Sequence, residues 1–169
     1  MQLLRRCDVD EVRARWLQQA PRDVNHIDRM INPAVRRDFP YAVTWCLALI
    51  ESSDIESIFL ISIDDFGPAS DQSWRLEQAA ARLSQQPLPD DQHARKVGAL
   101  SRAGFEDFSP VLVSTSLNGP FTIIDGNHRM IVRQQQGQVP GTECCLALHE
   151  GFAKYTYATQ ANNWQRQNR

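Results

Sequence analysis

At 169 residues and 19.3 kDa the chain is one domain's worth, long enough to bury a real hydrophobic core. A formal net charge of −2 argues against a protein that holds nucleic acid chiefly through a basic surface. No apolar run approaches a membrane span and Met1 to Arg6 lack a signal-peptide core, so no membrane insertion is expected.

Residues 2–6 read as a short strand. Residues 9–20 read as a helix: Val9, Val12, Trp16 and Leu17 recur near a helical period, Asp8 stands where a cap belongs, and Pro21 closes it. A second helix is expected over 33–51, broken by Pro40, with 41–50 apolar almost all round and therefore buried. Residues 55–63, rich in Ile and Phe, suit a buried strand ending in the turn Asp64-Asp65-Phe66-Gly67-Pro68. Helices follow over 74–83 and 92–103, separated by a loop around Pro87 and Pro89 that is too short for a domain linker.

The last third is clearer. Residues 111–117 form a strand, Asn118-Gly119-Pro120 a turn, and 121–124 its antiparallel partner. A helix is expected from about 128 to 136, with Gly137 as its C-terminal stop, and a further strand over 142–149. The tail from 151 to 169 carries Phe152, Tyr155, Tyr157 and Trp164 and is expected to pack as a final helix. There is no internal repeat and no low-complexity segment.

Charge is unevenly spread. Residues 1–37 hold eight Arg against five acids, residues 51–91 hold nine acids against two Arg, and no acid follows Glu150. A positive N-terminal segment and tail would together flank a phosphate-bearing ligand, although an arginine-rich composition alone gives the same surplus. Cys7, Cys46, Cys144 and Cys145 show no CxxC spacing. Adjacent cysteines on a strand point to opposite faces, so free thiols in a cytoplasmic protein are the expectation.

The stretch Phe121-Thr122-Ile123-Ile124-Asp125-Gly126-Asn127-His128-Arg129 is the most informative. Four β-formers deliver a polar cluster to a helix start, Gly126 permits the sharp turn, and Asn127 suits the N-cap. A helix start exposes unpaired N–H groups and the positive end of a dipole, so His128 and Arg129 in its first turn are together expected to make a phosphate site, although singly Asp125 reads as a turn cap, His128 as a structural histidine and Arg129 as the partner of a surface acid. Arg129 would grip a phosphate with its planar fork, and His128 would bond it or act as general acid or base. Asp125 would hold Mg²⁺ or orient a water; Gly126 and the amides from Asn127 to Arg129 would form the cradle. Asp64 and Asp65 are further metal candidates, for which a solvated turn is the simpler reading, and Glu143 is a weaker one. His26, His93 and His149 lack metal-ligand spacing and read as structural. Trp16, Trp45 and Trp74 read as core, whereas Tyr155, Tyr157 and Trp164 beside Lys154 and Arg166 could stack on bases.

The order strand–turn–strand–DGNHR–helix–Gly–x–Val–Pro–strand, over residues 109–148, resembles the ParB/sulfiredoxin superfamily. That resemblance implies a single α+β domain over 1–169 with a mixed β-sheet, and a loop that holds nucleotide phosphates, often with a divalent cation. Sulfiredoxins carry a reactive Cys where this chain has Asn127, so sulfinic acid reduction is not expected. Chromosome-partition members continue into helix-turn-helix and dimerisation regions for which 169 residues leave no room. The chain is similar to the ParB-like nucleases and to the Osa-type fertility-inhibition proteins. By that resemblance it would be an ATP-binding hydrolase with DNase activity, using Mg²⁺ and suppressing conjugative or type IV DNA transfer. Its partners would be a nucleotide, a DNA substrate and components of a DNA-transfer apparatus. Two alternatives stay open: a small-molecule kinase of the free-serine type, and a binding inhibitor without turnover.

Overall fold

A computed structural model describes residues 1–19, 24–63, 66–85, 91–105 and 107–167. They form an α+β fold on a six-stranded mixed sheet. The strands are β1 (Gln2–Cys7), β2 (Thr44–Leu49), β3 (Ile58–Phe59), β4 (Val111–Ser114), β5 (Phe121–Asp125) and β6 (Glu143–Leu148). Their spatial order is β1-β2-β6-β4-β5-β3, with β4/β6 and β3/β5 parallel and the other pairs antiparallel. The helices are α1 (Val9–Gln19), α2 (Val24–Ile31), α3 (Phe66–Ala69), α4 (Leu76–Gln85), α5 (Gln92–Ala103), α6 (Asn127–Gln135) and α7 (Thr159–Gln167).

The middle of the sheet is covered on both faces. Phe121, Thr122, Ile123 and Ile124 are all buried in succession, as are Cys144 to Ala147, which is why these strands read as continuous rather than alternating apolar runs. Register then decides where the polar end of β5 lies. Asp125 pairs with Val111, and Val111 pairs in turn with Cys145, so β5 ends where β4 and β6 begin. Parallel β3 runs toward the same end and hands over there to Ile61. Helices α4 and α5 pack on α6, which starts at that end.

The helix expected over 33–51 is not formed. Residues 44–49 are β2, inserted between β1 and β6. Trp45, Cys46, Leu47 and Ala48 are all buried, and a short strand covered on both faces has no alternation to distinguish it from a buried helix. The helix lies upstream instead, as α2, whose Ile27, Met30 and Ile31 are buried at helical spacing. The strand expected over 55–63 shrinks to Ile58–Phe59, because a 3-10 turn occupies Ser52–Ser57. Beyond β3 the backbone finds irregular partners, Leu60 N–H donating to Trp74 O and Ser62 N–H to Tyr157 O.

β4 stops at Ser114, short of residue 117, because the Ser114 hydroxyl donates to Ser116 O and Pro120 O and turns the chain. The tail forms 3-10 turns at Glu150–Lys154 and Thr156–Ala158 before α7. Its aromatics face inward: Tyr155 is buried with its hydroxyl donating to Met30 O, Trp164 packs on Phe59, and Arg36 lies 3.6 Å over the Tyr157 ring. Tyr155 and Trp164 pack against the body of the fold, whereas Tyr157 is half-buried and also lines the cleft at the end of β5. All four cysteines are free thiols. Among the described residues no helix is long and apolar enough to cross a membrane.

Candidate functional site

The end of β5 and the start of α6 form a loop whose conformation only glycine adopts without strain. Gly126 has φ 90° and ψ 12°, and a Cβ there would stand 2.9 Å from the Phe108 ring and 3.3 Å from Pro110. Gly126, not Asn127, is the N-cap, and having no side chain it makes no side-chain capping bond. The first intrahelical bond runs from Met130 N–H to Gly126 O at 2.9 Å, so the amides of Asn127, His128 and Arg129 precede the ladder. Asn127 is buried for another purpose: its Oδ1 accepts the Ile61 N–H at 3.0 Å, tying the chain beyond β3 to the start of α6. The helix closes in a Schellman motif, with Gly137 N–H donating to Gln134 O and Gln138 N–H to Arg133 O.

Arg129 and Asp125 face each other across this turn at 3.4 Å, each about one-fifth exposed. Burial pushes the Asp125 carboxyl above its ordinary value despite the opposing pull of Arg129 and His26. Burial likewise pushes the Arg129 guanidinium down while Asp125 holds it up. Both shifts say that the ion pair is under-solvated and only weakly compensated. The Arg129 guanidinium lies 4.3 Å over the Phe108 ring, and Arg133, one turn on, lies over the same ring at 5.2 Å. Arg133 also donates to Thr142 Oγ1 and to Asp107, each at 3.0 Å.

These groups open on a cleft of about 1130 Å³ walled by α1, α2, α6 and the start of β6. That is slightly above the ~300–1,000 Å³ usual for small-molecule sites. Arg15, Arg129 and Arg133 face Asp107, Asp125 and Glu143 around it, with His26 and His128 also in its wall.

His128 is the second unusual group. Its Nε2 lies 2.8 Å from Nδ1 of His93, on α5, and the Phe66 ring packs against both imidazoles at centroid distances of 5.3 and 4.2 Å. Burial, with the neighbouring His93 and Lys96 adding to it, lowers the His128 pKa to about 4. The ring is therefore neutral at physiological pH and cannot act as a standing cation.

Asp125, Gly126, Asn127, His128 and Arg129 thus lie together on one wall of one cleft. Glu143 lines the same cleft, bound to Arg15. Asp64 and Asp65 lie outside the described residues. Among the described residues no group of three His, Cys, Asp or Glu side chains is placed to hold a metal. Among the groups at this site that escape a sequence reading are His93, His26, Phe108 and Arg133. Arg133 stands one turn beyond Arg129 on the same helix, the one available signal, whereas the others arrive from distant segments. Against known proteins, no family model, no curated protein and no solved structure matches the chain.

Proposed function

We propose that the chain is a nucleotide-binding hydrolase whose phosphates lie on the start of α6, with ATP as the nucleotide. The observation that supports it is the helix start after left-handed Gly126, whose N-cap has no side chain to occupy the first amides, with Arg129 in its first turn beside a nucleotide-sized cleft. Among the described residues the Arg129 fork makes a long hydrogen bond to Asp125 at 3.4 Å and lies over the Phe108 ring, and a phosphate oxygen would be a stronger partner for it than that carboxylate, since charge-assisted bonds are strongest at ~2.7–2.9 Å. A phosphate next to Asp125 repels it unless a proton or cation lies between. Asp125 would hold Mg²⁺ carried by the nucleotide. Bound Mg²⁺ would neutralise charge developing on the phosphoryl oxygens.

In this reading the amides of Asn127 to Arg129 hold phosphate oxygens, Arg129 stabilises the charge that grows on them, and neutral His128 hydrogen-bonds the phosphoryl group. The DNA-cleaving half of the proposal rests on the resemblance of the Asp125–Arg129 loop to ParB-like nucleases. Suppression of DNA transfer rests on it too. A second reading, phosphoryl transfer to a small hydroxyl compound, is favoured by one observation: Asp107, Asp125 and Glu143 give the cleft three carboxylates able to take a hydroxyl proton.

The deciding experiment incubates the purified protein with labelled ATP, Mg²⁺ and linear or plasmid DNA, beside an Arg129→Ala control. Phosphate release and DNA degradation, both lost in the variant, support the hydrolase–nuclease reading. Intact DNA with no phosphate release sinks it, and label transferred to free serine or a similar hydroxyl compound moves the reading to a kinase.

A further inference from the structure

The contact between His93 and His128 joins two segments that the chain keeps 35 residues apart, and it lies beside the α6 start. The two rings are within 18° of coplanar, and a nitrogen–nitrogen separation of 2.8 Å is shorter than any stacking distance. The imidazoles therefore meet edge to edge, in the geometry of an N–H···N hydrogen bond. Such a bond holds one hydrogen. Two imidazolium rings are excluded, because both nitrogens would then be donors.

The neighbours of His93 fix its position. Asp91 caps α5 by accepting the N–H of His93 at 2.7 Å and of Ala94 at 3.4 Å. The Phe66 ring packs over the pair, and His93 itself is buried. With Nε2 of His128 engaged, Nδ1 is the nitrogen that His128 can offer a ligand. Two arrangements exist. If His128 donates from Nε2, Nδ1 presents a lone pair, which repels a phosphate oxygen. If His93 donates from Nδ1, His128 carries its proton on Nδ1 and donates to that oxygen. Each ring holds one proton in either case, so no net charge is created.

We infer that His93 is a positioning residue which, by donating from Nδ1 to Nε2 of His128, sets the His128 tautomer that donates to a bound phosphate. The inference rests on the nucleotide-phosphate reading above. It gives a neutral histidine the role of an oriented donor, which suits a ring that burial keeps uncharged.

The test is nitrogen-15 NMR of the imidazole rings in the full-length protein, free and with Mg²⁺ and the non-hydrolysable nucleotide AMP-PNP, alongside His93→Phe and His93→Asn. In the wild-type complex Nδ1 of His128 is expected to be protonated and Nε2 to be an acceptor. His93→Phe keeps a ring against Phe66 but removes the bond; a mixture of His128 tautomers and about fivefold weaker binding are expected. His93→Asn, whose amide donates from near the Nδ1 position, is expected to restore the single tautomer. A wild-type complex with the proton on Nε2 overturns the inference without any variant having to fold, as does an unchanged tautomer in His93→Phe. If AMP-PNP leaves the α6 amide signals unmoved, the nucleotide reading fails and takes the inference with it. If those signals move while His128 keeps its proton on Nε2, the inference fails alone.

Discussion

Replacing Gly126 by alanine tests the loop at its tightest point. Two costs are separable. An L-residue in the left-handed region is disfavoured by about 1–2 kcal/mol. The new methyl would also meet the Phe108 ring at 2.9 Å, and Phe108 is 5% exposed and lies under both Arg129 and Arg133, so it cannot swing aside freely. Overpacking of that kind costs about 1–3 kcal/mol. The sum, about 2–5 kcal/mol, is a large part of the ~5–15 kcal/mol that holds such a domain together. Gly137 is the internal control: its φ is 67°, but nothing lies within 4 Å of a Cβ built there, so Gly137→Ala should lose only the backbone cost. Urea denaturation of both variants reads the difference as a shift in midpoint at constant slope. Equal losses in the two variants would refute the claim that Phe108 packs against the loop at Gly126.

Three further outcomes are expected. Asn127→Ala removes the acceptor of the buried Ile61 N–H and should cost about 1–3 kcal/mol in the same urea assay; a neutral substitution would mean that the loop beyond β3 is not tied to α6. The His128 pKa falls from 6.5 to about 4 on folding, so between those values the unfolded chain binds the proton and the folded one does not. Wild-type stability should therefore fall as pH drops through that window, with less fall in His128→Asn. The raised Asp125 carboxyl acts with the opposite sign, losing its contribution as pH rises through its folded value, which is why the comparison must be against the variant. Identical pH profiles would refute the buried neutral histidine. Finally, burial pushes the Cys7 thiol up to about 11 and Cys145 to about 12, with Cys46 and Cys144 also raised. A thiol reagent at mildly alkaline pH should label the native protein slowly and all four cysteines on unfolding; a fast native thiol would contradict this.

What could be read from the sequence was local. β5, the turn at Gly126 and α6 are contiguous, each with its own signal in β-branched residues, a glycine and a helix start, and the five site residues they carry do lie together. Helix α5 was equally legible, and the structure gives it the expected bounds 92–103. Strand β2 was not, because its neighbours on both sides and both faces remove the alternation that marks a strand. His93, which lacks metal-ligand spacing, reads as structural in the sequence; only the packing of α5 on α6 brings it to residue 128. Phe108 and Arg133 are similar: a ring beneath two guanidinium groups is a property of the folded surface and has no motif.

The central claim is that the start of α6, with Arg129, holds a nucleotide's phosphates. Calorimetric titration of the wild-type protein and Arg129→Ala with AMP-PNP and Mg²⁺ tests it most directly. Saturable binding by the wild type, weakened about tenfold or more in the variant, is the predicted result. Equal affinity in the two proteins, or no heat with either, would contradict it.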